Sequence, residues 1–182
     1  MYVLSDCNKS VLHHVTHSTV SDPDEVIQKI FLDEAEVFKT NYWLPGKHAT
    51  GEDASLVIDL GCIKELNGVY LKNSHNAHKD NRGTSEFSLY VKEEESESWS
   101  RVSTEPGYLE PVYSYTVNKV QFVSFAEVQM ARYVKFTIDS YYGKGGGLSY
   151  FLESEGLAGS SYTSNMRRCL SPPDSNVTSR RL

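Results

Sequence analysis

The sequence has few of the features that mark membrane proteins or nucleic-acid-binding proteins. No stretch approaches the roughly 18 consecutive apolar residues that a membrane-spanning helix needs. Acidic residues outnumber basic ones, 24 against 18, so the formal net charge is −6, and no extended basic cluster is present. A protein that binds duplex DNA needs a basic face to displace counterions from phosphate. These absences argue against a transmembrane segment and against a nucleic-acid partner.

Cysteine is also scarce. Cys7, Cys62 and Cys169 lie far apart and form no C-x-x-C pair, so the sequence predicts no zinc site. The first residues lack the basic start and apolar core of a signal peptide, which predicts a cytoplasmic protein for the sequence as written. An incomplete N-terminus would instead allow an extracellular protein with a disulfide between Cys7 and Cys169.

No arrangement typical of an enzyme is recognisable. His75 and His78 are three residues apart with no Glu between them, unlike the His-Glu-x-x-His motif of zinc enzymes. The glycine-rich segment 143–147 is followed by neither Lys-Ser/Thr nor a helix, so it is no phosphate loop, and we expect it to bend the chain with positive φ angles. No Ser-centred elbow and no oriented Cys/His pair is present. We therefore predict a protein that is not an enzyme.

What the chain does contain is a series of short strand patterns. In segment 85–93, Phe87, Leu89 and Val91 alternate with polar residues. Further strand patterns lie at 54–61, 66–73, 117–125, 131–142 and 147–157. Because these patterns follow one another at short spacing without helices between them, they predict an all-β fold, an antiparallel β-sandwich.

The patterns fit one domain, which we place at residues 5–157. A single helical pattern lies near its start, at 22–38, where Asp22 is the predicted cap and Pro23 the first helical residue. From residue 158 the sequence is rich in Ser, Pro and Arg and has almost no apolar periodicity. It predicts a flexible C-terminal tail at 158–182.

Four segments carry recognisable motifs in a fixed order. They read FLDEAEVFKTNYWL at 31–44, ASLVIDLG at 54–61, KNSHNAHKDNRGTSEFSLYV at 72–91 and ARYVKFTIDSYYGKGGGLSYF at 131–151. In this order the chain resembles the discoidin family, also called the coagulation-factor type C domain. The resemblance implies a galactose-binding-like jelly roll that binds sugars, phospholipid head groups or proteins through loops at one end. Fold alone does not choose among these ligands.

The polar loop that begins at residue 73 is the predicted ligand-binding region. Amide, guanidinium and imidazole groups offer hydrogen bonds to vicinal sugar hydroxyls, and an aromatic ring can cover the apolar face of a sugar. The predicted contacts are Asn73, His75, Asn76 and Arg82, with Tyr42, Trp43 and Tyr142 as aromatic platforms. Alternatives stay open. Asn73 and Asn76 could fold the turn through bonds to the backbone, Arg82 could pair with an acid, and Trp43 could belong to the core.

The resemblance also implies a structural calcium ion near the early loop. Calcium needs several oxygen ligands in one place. Asp33 stands where the family has an early acidic ligand, and Asn41 follows it. In the closing strand Tyr150 stands where the family usually has an acid, so Glu153 would serve only if the strand register shifts. The predicted metal ligands are therefore Asp33, Asn41 and Glu153.

Two functions remain open at this stage. The first is a non-catalytic module that binds carbohydrate, or another extended surface ligand, through loops at one end of the sandwich. The second is an intracellular protein-interaction or scaffold domain on the same fold, which the missing signal peptide and the unpaired cysteines favour. The sequence predicts no oligomeric state.

Overall fold

A computed structural model describes residues 14–17, 30, 42–74, 82–103, 105–112 and 119–155. These residues form the strands β1 (His14–His17), β2 (Ser55–Asn73), β3 (Thr84–Lys92), β4 (Ser100–Arg101), β5 (Gly107–Tyr108), β6 (Gln121–Tyr141) and β7 (Leu148–Glu155), with a 3-10 helix (Gly51–Ala54) before β2. Every strand pairing is antiparallel. The helix predicted at 22–38 falls outside this set apart from Ile30, which is buried in the core. No helix in the described part of the chain has the length and hydrophobicity to cross a membrane.

Two long strands, β2 and β6, contribute to both layers of the fold. Residues 55–59 of β2 lie between β1 and residues 133–137 of β6, which also pair with β3. Residues 66–71 of β2 instead lie between β7 and the first half of β6. The first layer thus has the order β1-β2-β6-β3, with β4 and β5 on β3, and the second has the order β7-β2-β6. The predicted all-β, antiparallel β-sandwich is confirmed.

The continuity of the two long strands differs from the sequence prediction. The patterns at 54–61 and 66–73 predicted two strands, but both belong to β2, whose register shifts between Asp59 and Lys64. Gly61, at this shift, has a φ of 79°, which residues with side chains rarely adopt. A bulge of this kind bends a strand without ending it. The alternation of apolar residues breaks at the bend, which is why the sequence suggested two elements.

The core lies between the layers and follows the predicted alternation. Phe87, Leu89 and Val91 of β3 all point inward and are buried. The ring of Phe87 stacks on Phe136 of β6 with 5.2 Å between centroids. The other large and fully buried core side chains are Ile30, Trp43, Leu44, Leu56, Ile58, Leu66, Leu71, Leu109 and Phe151. Burial of such residues is the main force that holds the two layers together.

Candidate functional site

Three connecting segments meet at one end of the sandwich, which we call the loop end. They are residues 45–50, 82–83 and 142–147. The amide of Gly83 donates to the carbonyl of Gly145 at 2.9 Å, and the amide of His48 donates to the carbonyl of Lys144 at 3.2 Å. These bonds join segments that are distant in sequence, so the loop end is a defined surface of the folded chain.

The glycine-rich segment at the loop end bends as the sequence predicted. Gly143 and Gly145 have φ angles of 67° and 152°. A Cβ on Gly145 would lie 2.8 Å from Nη1 of Arg82 and 3.5 Å from the backbone nitrogen of His48. The missing side chain therefore lets the guanidinium of Arg82 pack directly against this segment.

His48 and Tyr141 form an exposed polar pair at the loop end. Nδ1 of His48 lies 2.9 Å from the hydroxyl of Tyr141, and their ring centroids are 5.8 Å apart. His48 has a φ of 62°, which is uncommon for a residue other than glycine. Backbone strain of this kind often accompanies a functional site. Sequence reasoning identified neither residue, because a lone His in a loop and one Tyr of a Tyr-Tyr pair carry no motif.

Asn73 lies beneath the loop end and is only 1% exposed. Its Nδ2 donates to the carbonyls of Thr84 at 2.8 Å and Glu110 at 2.9 Å. Its Oδ1 accepts hydrogen bonds from the amides of Ser74 at 2.9 Å and Thr84 at 2.8 Å. The side chain thus uses both donors and both acceptor positions of its amide. It connects the end of β2 to the start of β3.

Arg82 is also buried, with 6% of its surface exposed. Its Nη1 donates to the carbonyl of Pro45 at 3.1 Å. Because the same guanidinium packs against Gly145, it connects segment 45–50 to segment 142–147. The structure therefore places Arg82 under the surface that carries His48.

The three predicted aromatic platforms differ in exposure. Trp43 is fully buried and meets the ring of Phe136 edge-on, with 6.5 Å between centroids. Tyr42 is buried as well. Tyr142 is half-buried, and its hydroxyl donates to the carbonyl of Leu109 at 3.1 Å. A stacking platform needs an open ring face, so Tyr142, next to the half-buried Tyr141, is the best placed of the three predicted rings.

Several predicted residues lie outside the described part of the chain. They are the predicted ligand contacts His75 and Asn76, the predicted calcium ligands Asp33 and Asn41, and the two cysteines Cys7 and Cys169. Their roles stay predictions. The remaining cysteine, Cys62, is buried and forms no disulfide.

Glu153, the third predicted calcium ligand, faces a cation. Its Oε1 lies 2.8 Å from Nζ of Lys64, and Glu155 approaches the same nitrogen at 3.4 Å. Burial lowers the pKa of Lys64, but the hydrogen bond and charge of Glu153, together with Glu155, outweigh burial and raise that pKa above its usual value. Within residues 42–74, 82–103, 105–112 and 119–155, no group of three or more His, Cys, Asp or Glu could hold a metal ion. In the described residues Glu153 is engaged by Lys64, and its role as a calcium ligand together with Asp33 and Asn41 stays a prediction.

The sequence matches the model of a known family. The model of the F5/8 type C domain matches residues 15–152, which is most of the chain and includes all three segments of the loop end. No curated protein matches the sequence.

Solved structures share the fold at low sequence identity. The carbohydrate-binding module CBM32 of AlyQ, in complex with 4,5-unsaturated mannuronic acid, has a TM-score of 0.56 and 19% identity over 80% of this chain and 96% of that chain. Chitosan-binding module 1 of a chitosanase/glucanase from Paenibacillus sp. IK-5 has a TM-score of 0.56 and 17% identity over 81% of this chain and 97% of that chain. A pectin-binding carbohydrate-binding module has a TM-score of 0.57 and 15% identity over 82% of this chain and 95% of that chain. At these identities the likeness shows the fold.

Proposed function

Because the chain belongs to the F5/8 type C domain family, we propose that it is a non-catalytic carbohydrate-binding module that binds its ligand at the loop end. The observation that carries the proposal is the His48–Tyr141 pair, an exposed imidazole bonded to a phenol where three segments converge. Structures of the same fold whose names describe binding to mannuronic acid, chitosan and pectin support this ligand class. Such binding requires hydrogen bonds and an apolar ring face, and it requires no catalytic group.

Each residue of the loop end has a distinct role in this proposal. Nδ1 of His48 is bonded to the hydroxyl of Tyr141, so the orientation of the imidazole is fixed. The other nitrogen is left to bond a sugar hydroxyl, and the half-buried ring of Tyr142 covers an apolar sugar face. Asn73 and Arg82 act as positioning residues, because their side chains bond to backbone carbonyls below the surface. His75 and Asn76 stay as predicted ligand contacts.

Glycan-array binding followed by titration of the best glycan tests the proposal. We expect His48→Ala to weaken binding by about tenfold, as expected for one lost hydrogen bond with a partner left unpaired. Tyr141→Phe should weaken it less, because the phenol orients the imidazole without touching the sugar. Arg82→Ala should also weaken binding, because the segment that carries His48 loses its bond to Pro45. Unchanged affinity in all three variants would exclude the loop end as the binding site.

The protein-interaction domain is the second candidate, and one surface favours it. On the outer face of the second layer, Tyr70, Phe122 and Leu152 lie side by side across three strands and are 36%, 48% and 39% exposed. The rings of Tyr70 and Phe122 are 4.8 Å apart. Apolar groups gathered on a surface often mark a contact with another protein.

One matched variant separates the two candidates. Changing Tyr70→Ser together with Phe122→Ser removes this apolar surface from the outer face of the second layer. A carbohydrate-binding module should keep its affinity for glycan in this variant and lose it in His48→Ala. The reverse pattern, with no glycan bound by the wild type and a stoichiometric protein partner lost in the double variant, would establish the second candidate instead.

A further inference from the structure

Two lysines flank His48 on the surface of the loop end. Lys47 precedes it in the chain, and the carbonyl of Lys144 accepts the hydrogen bond from its amide. Both lysines are exposed. Among the residues that the structure describes, neither Lys47 nor Lys144 forms a salt bridge with an acidic side chain. In a chain with a net charge of −6, this surface carries positive charge.

The acidic residue that follows Lys47 most closely in sequence does not balance this charge. Glu52 belongs to the 3-10 helix that precedes β2. Its Oε1 lies 2.8 Å from Nζ of Lys135, in the middle of β6. Its carboxylate therefore pairs with a cation on the sheet and leaves the two surface lysines to solvent.

The two lysines are held on segments of fixed relative position. The hydrogen bond between the amide of His48 and the carbonyl of Lys144 joins the segments directly at 3.2 Å. Arg82 joins them from below, because its guanidinium bonds the carbonyl of Pro45 and packs against Gly145. A site that is ordered before binding loses less conformational freedom when the ligand arrives.

We propose that the loop end selects an anionic sugar, one that carries a carboxylate or sulfate group, over a neutral sugar. This inference rests on the proposed function, in which the loop end binds carbohydrate. Each ammonium group offers three hydrogen-bond donors and a positive charge to the acidic group of the sugar. His48 and Tyr142 then contact the hydroxyls and the ring, as they would with a neutral sugar. The positive surface also attracts an anionic polymer over a longer range and raises its rate of association.

Exposed charge pairs are weak and sensitive to salt, and this sets the expected pattern. Double-mutant cycles on exposed ion pairs give energies that correspond to a change of about two- to fivefold in affinity. We expect a change of this size for each lysine that contacts the anionic group. The screening length falls from about 14 Å at ~0.05 M salt to about 4 Å at ~0.5 M salt. The preference for an anionic sugar should therefore shrink as salt is added, while binding to a neutral sugar should change little.

The test compares three polysaccharides by affinity electrophoresis and titration calorimetry. Polygalacturonate carries carboxylates, κ-carrageenan carries sulfates, and linear galactan is neutral. At low salt we expect the wild type to bind one of the anionic polymers about tenfold more tightly than galactan. Lys47→Gln combined with Lys144→Gln should remove most of that preference, and the charge reversal Lys144→Glu should remove it as well. The better of the two anionic polymers identifies the acidic group.

Lys92→Gln is the matched control. It removes the same charge at the far end of β3, where Lys92 packs over the ring of Trp99 at 4.8 Å. This variant should keep the preference for the anionic polymer. Because Lys47 and Lys144 are exposed, circular dichroism should show both lysine variants of the loop end to be folded.

Failure of this inference can be told apart from failure of the proposed function. Equal binding to all three polymers, unchanged in the double lysine variant, would overturn the preference for anions and leave carbohydrate binding in place. Retention of none of the three polymers would overturn the inference as well, and the glycan array would then decide whether the domain binds any sugar.

Discussion

The side chain of Asn73 shows how one buried amide can hold a surface loop in shape. It bonds the amides of Ser74 and Thr84 and the carbonyls of Thr84 and Glu110. These groups come from the end of β2, the start of β3 and the segment after β5. A buried polar group that loses its hydrogen-bond partner destabilises the fold by about 1–3 kcal/mol. Loss of the Asn73 amide would leave these backbone groups without that partner.

We expect Asn73→Asp to destabilise the fold by about 3 kcal/mol. The substitution keeps the shape of the side chain but replaces the NH2 group with an oxygen. The carbonyls of Thr84 and Glu110 would then face a carboxylate with no donor between them. Urea unfolding monitored by circular dichroism measures the effect.

Gln129→Glu is the control for Asn73→Asp. It makes the same amide-to-acid change on β6, where the amide of Gln129 donates to the nearby carbonyl of Glu127. We expect a change within about 0.5 kcal/mol, as for most surface substitutions. Equal effects of the two substitutions would show that the hydrogen bonds of Asn73 contribute little.

The sequence predicted some features of the loop end and missed others. The features it missed depend on contacts between residues that lie far apart along the chain. The bend at 143–147 was predicted because glycine itself permits positive φ angles. His48 was not predicted, because its partner Tyr141 is 93 residues away and only the fold brings the two together. The same holds for Arg82 and Pro45, which are 37 residues apart.

At the scale of elements, a salt bridge joins two strands of the second layer. Lys64 on β2 and Glu153 on β7 are both nearly buried, with side chains 7% and 8% exposed. Taking two charges out of water is costly, and their mutual attraction offsets that cost. Removal of one partner would leave the other charge buried, which typically costs about 3–5 kcal/mol.

The raised pKa of Lys64 predicts a loss of stability at alkaline pH. The hydrogen bond and charges of Glu153 and Glu155 hold the proton on Lys64 more tightly in the folded chain than in the unfolded chain. The resulting stability is fully present below the ordinary pKa of 10.5 and is lost as pH rises through the higher folded value. Urea midpoints measured from about pH 9 to about pH 12 should fall in the wild type once the pH exceeds the ordinary pKa of lysine.

Other lysines and tyrosines titrate in the same range, so a control is required. In a variant with Lys64→Met and Glu153→Leu, the part of the alkaline decline that belongs to this pair should disappear. A decline of the same size in the wild type and this variant would assign the whole effect to other groups.

The sequence predicted strands well where one face of the strand is buried, because apolar and polar residues then alternate. It predicted strands poorly where only backbone hydrogen bonds to a neighbouring strand define them. Phe87, Leu89 and Val91 alternate with polar residues, and their strand was recognised from that pattern alone. β1, with four residues, and β4 and β5, with two residues each, are too short to show a period. Their existence depends on the neighbouring strands β2 and β3, so no local pattern records it.

At the scale of the whole molecule, β2 and β6 each contribute to both layers and bend at the same level. The bend of β2 follows Asp59, whose carboxylate accepts hydrogen bonds from Nε and Nη2 of Arg132 on β6, each at 2.9 Å. The same carboxylate accepts the amide of Gly61 at 2.8 Å. The hydrogen bonds that Arg132 donates to Asp59 raise the pKa of Arg132 above its usual value. A bidentate Arg–carboxylate pair of this kind stabilises the fold and also fixes the relative position of the two strands.

Since both layers share these two strands, we expect them to unfold together. Asp59→Ala removes the charged hydrogen bonds at the bend and should lower stability by about 2 kcal/mol, while unfolding remains a single transition. Native-state hydrogen exchange can test each layer separately, because Leu56 and Ile58 belong to the first layer whereas Val69 and Leu71 belong to the second. Their slowest amides should show the same free energy of opening in the wild type, and the same decrease in Asp59→Ala. A larger decrease in one layer would mean that the layers are separate cooperative units, and that the shared strands do not couple the loop end to the rest of the sandwich.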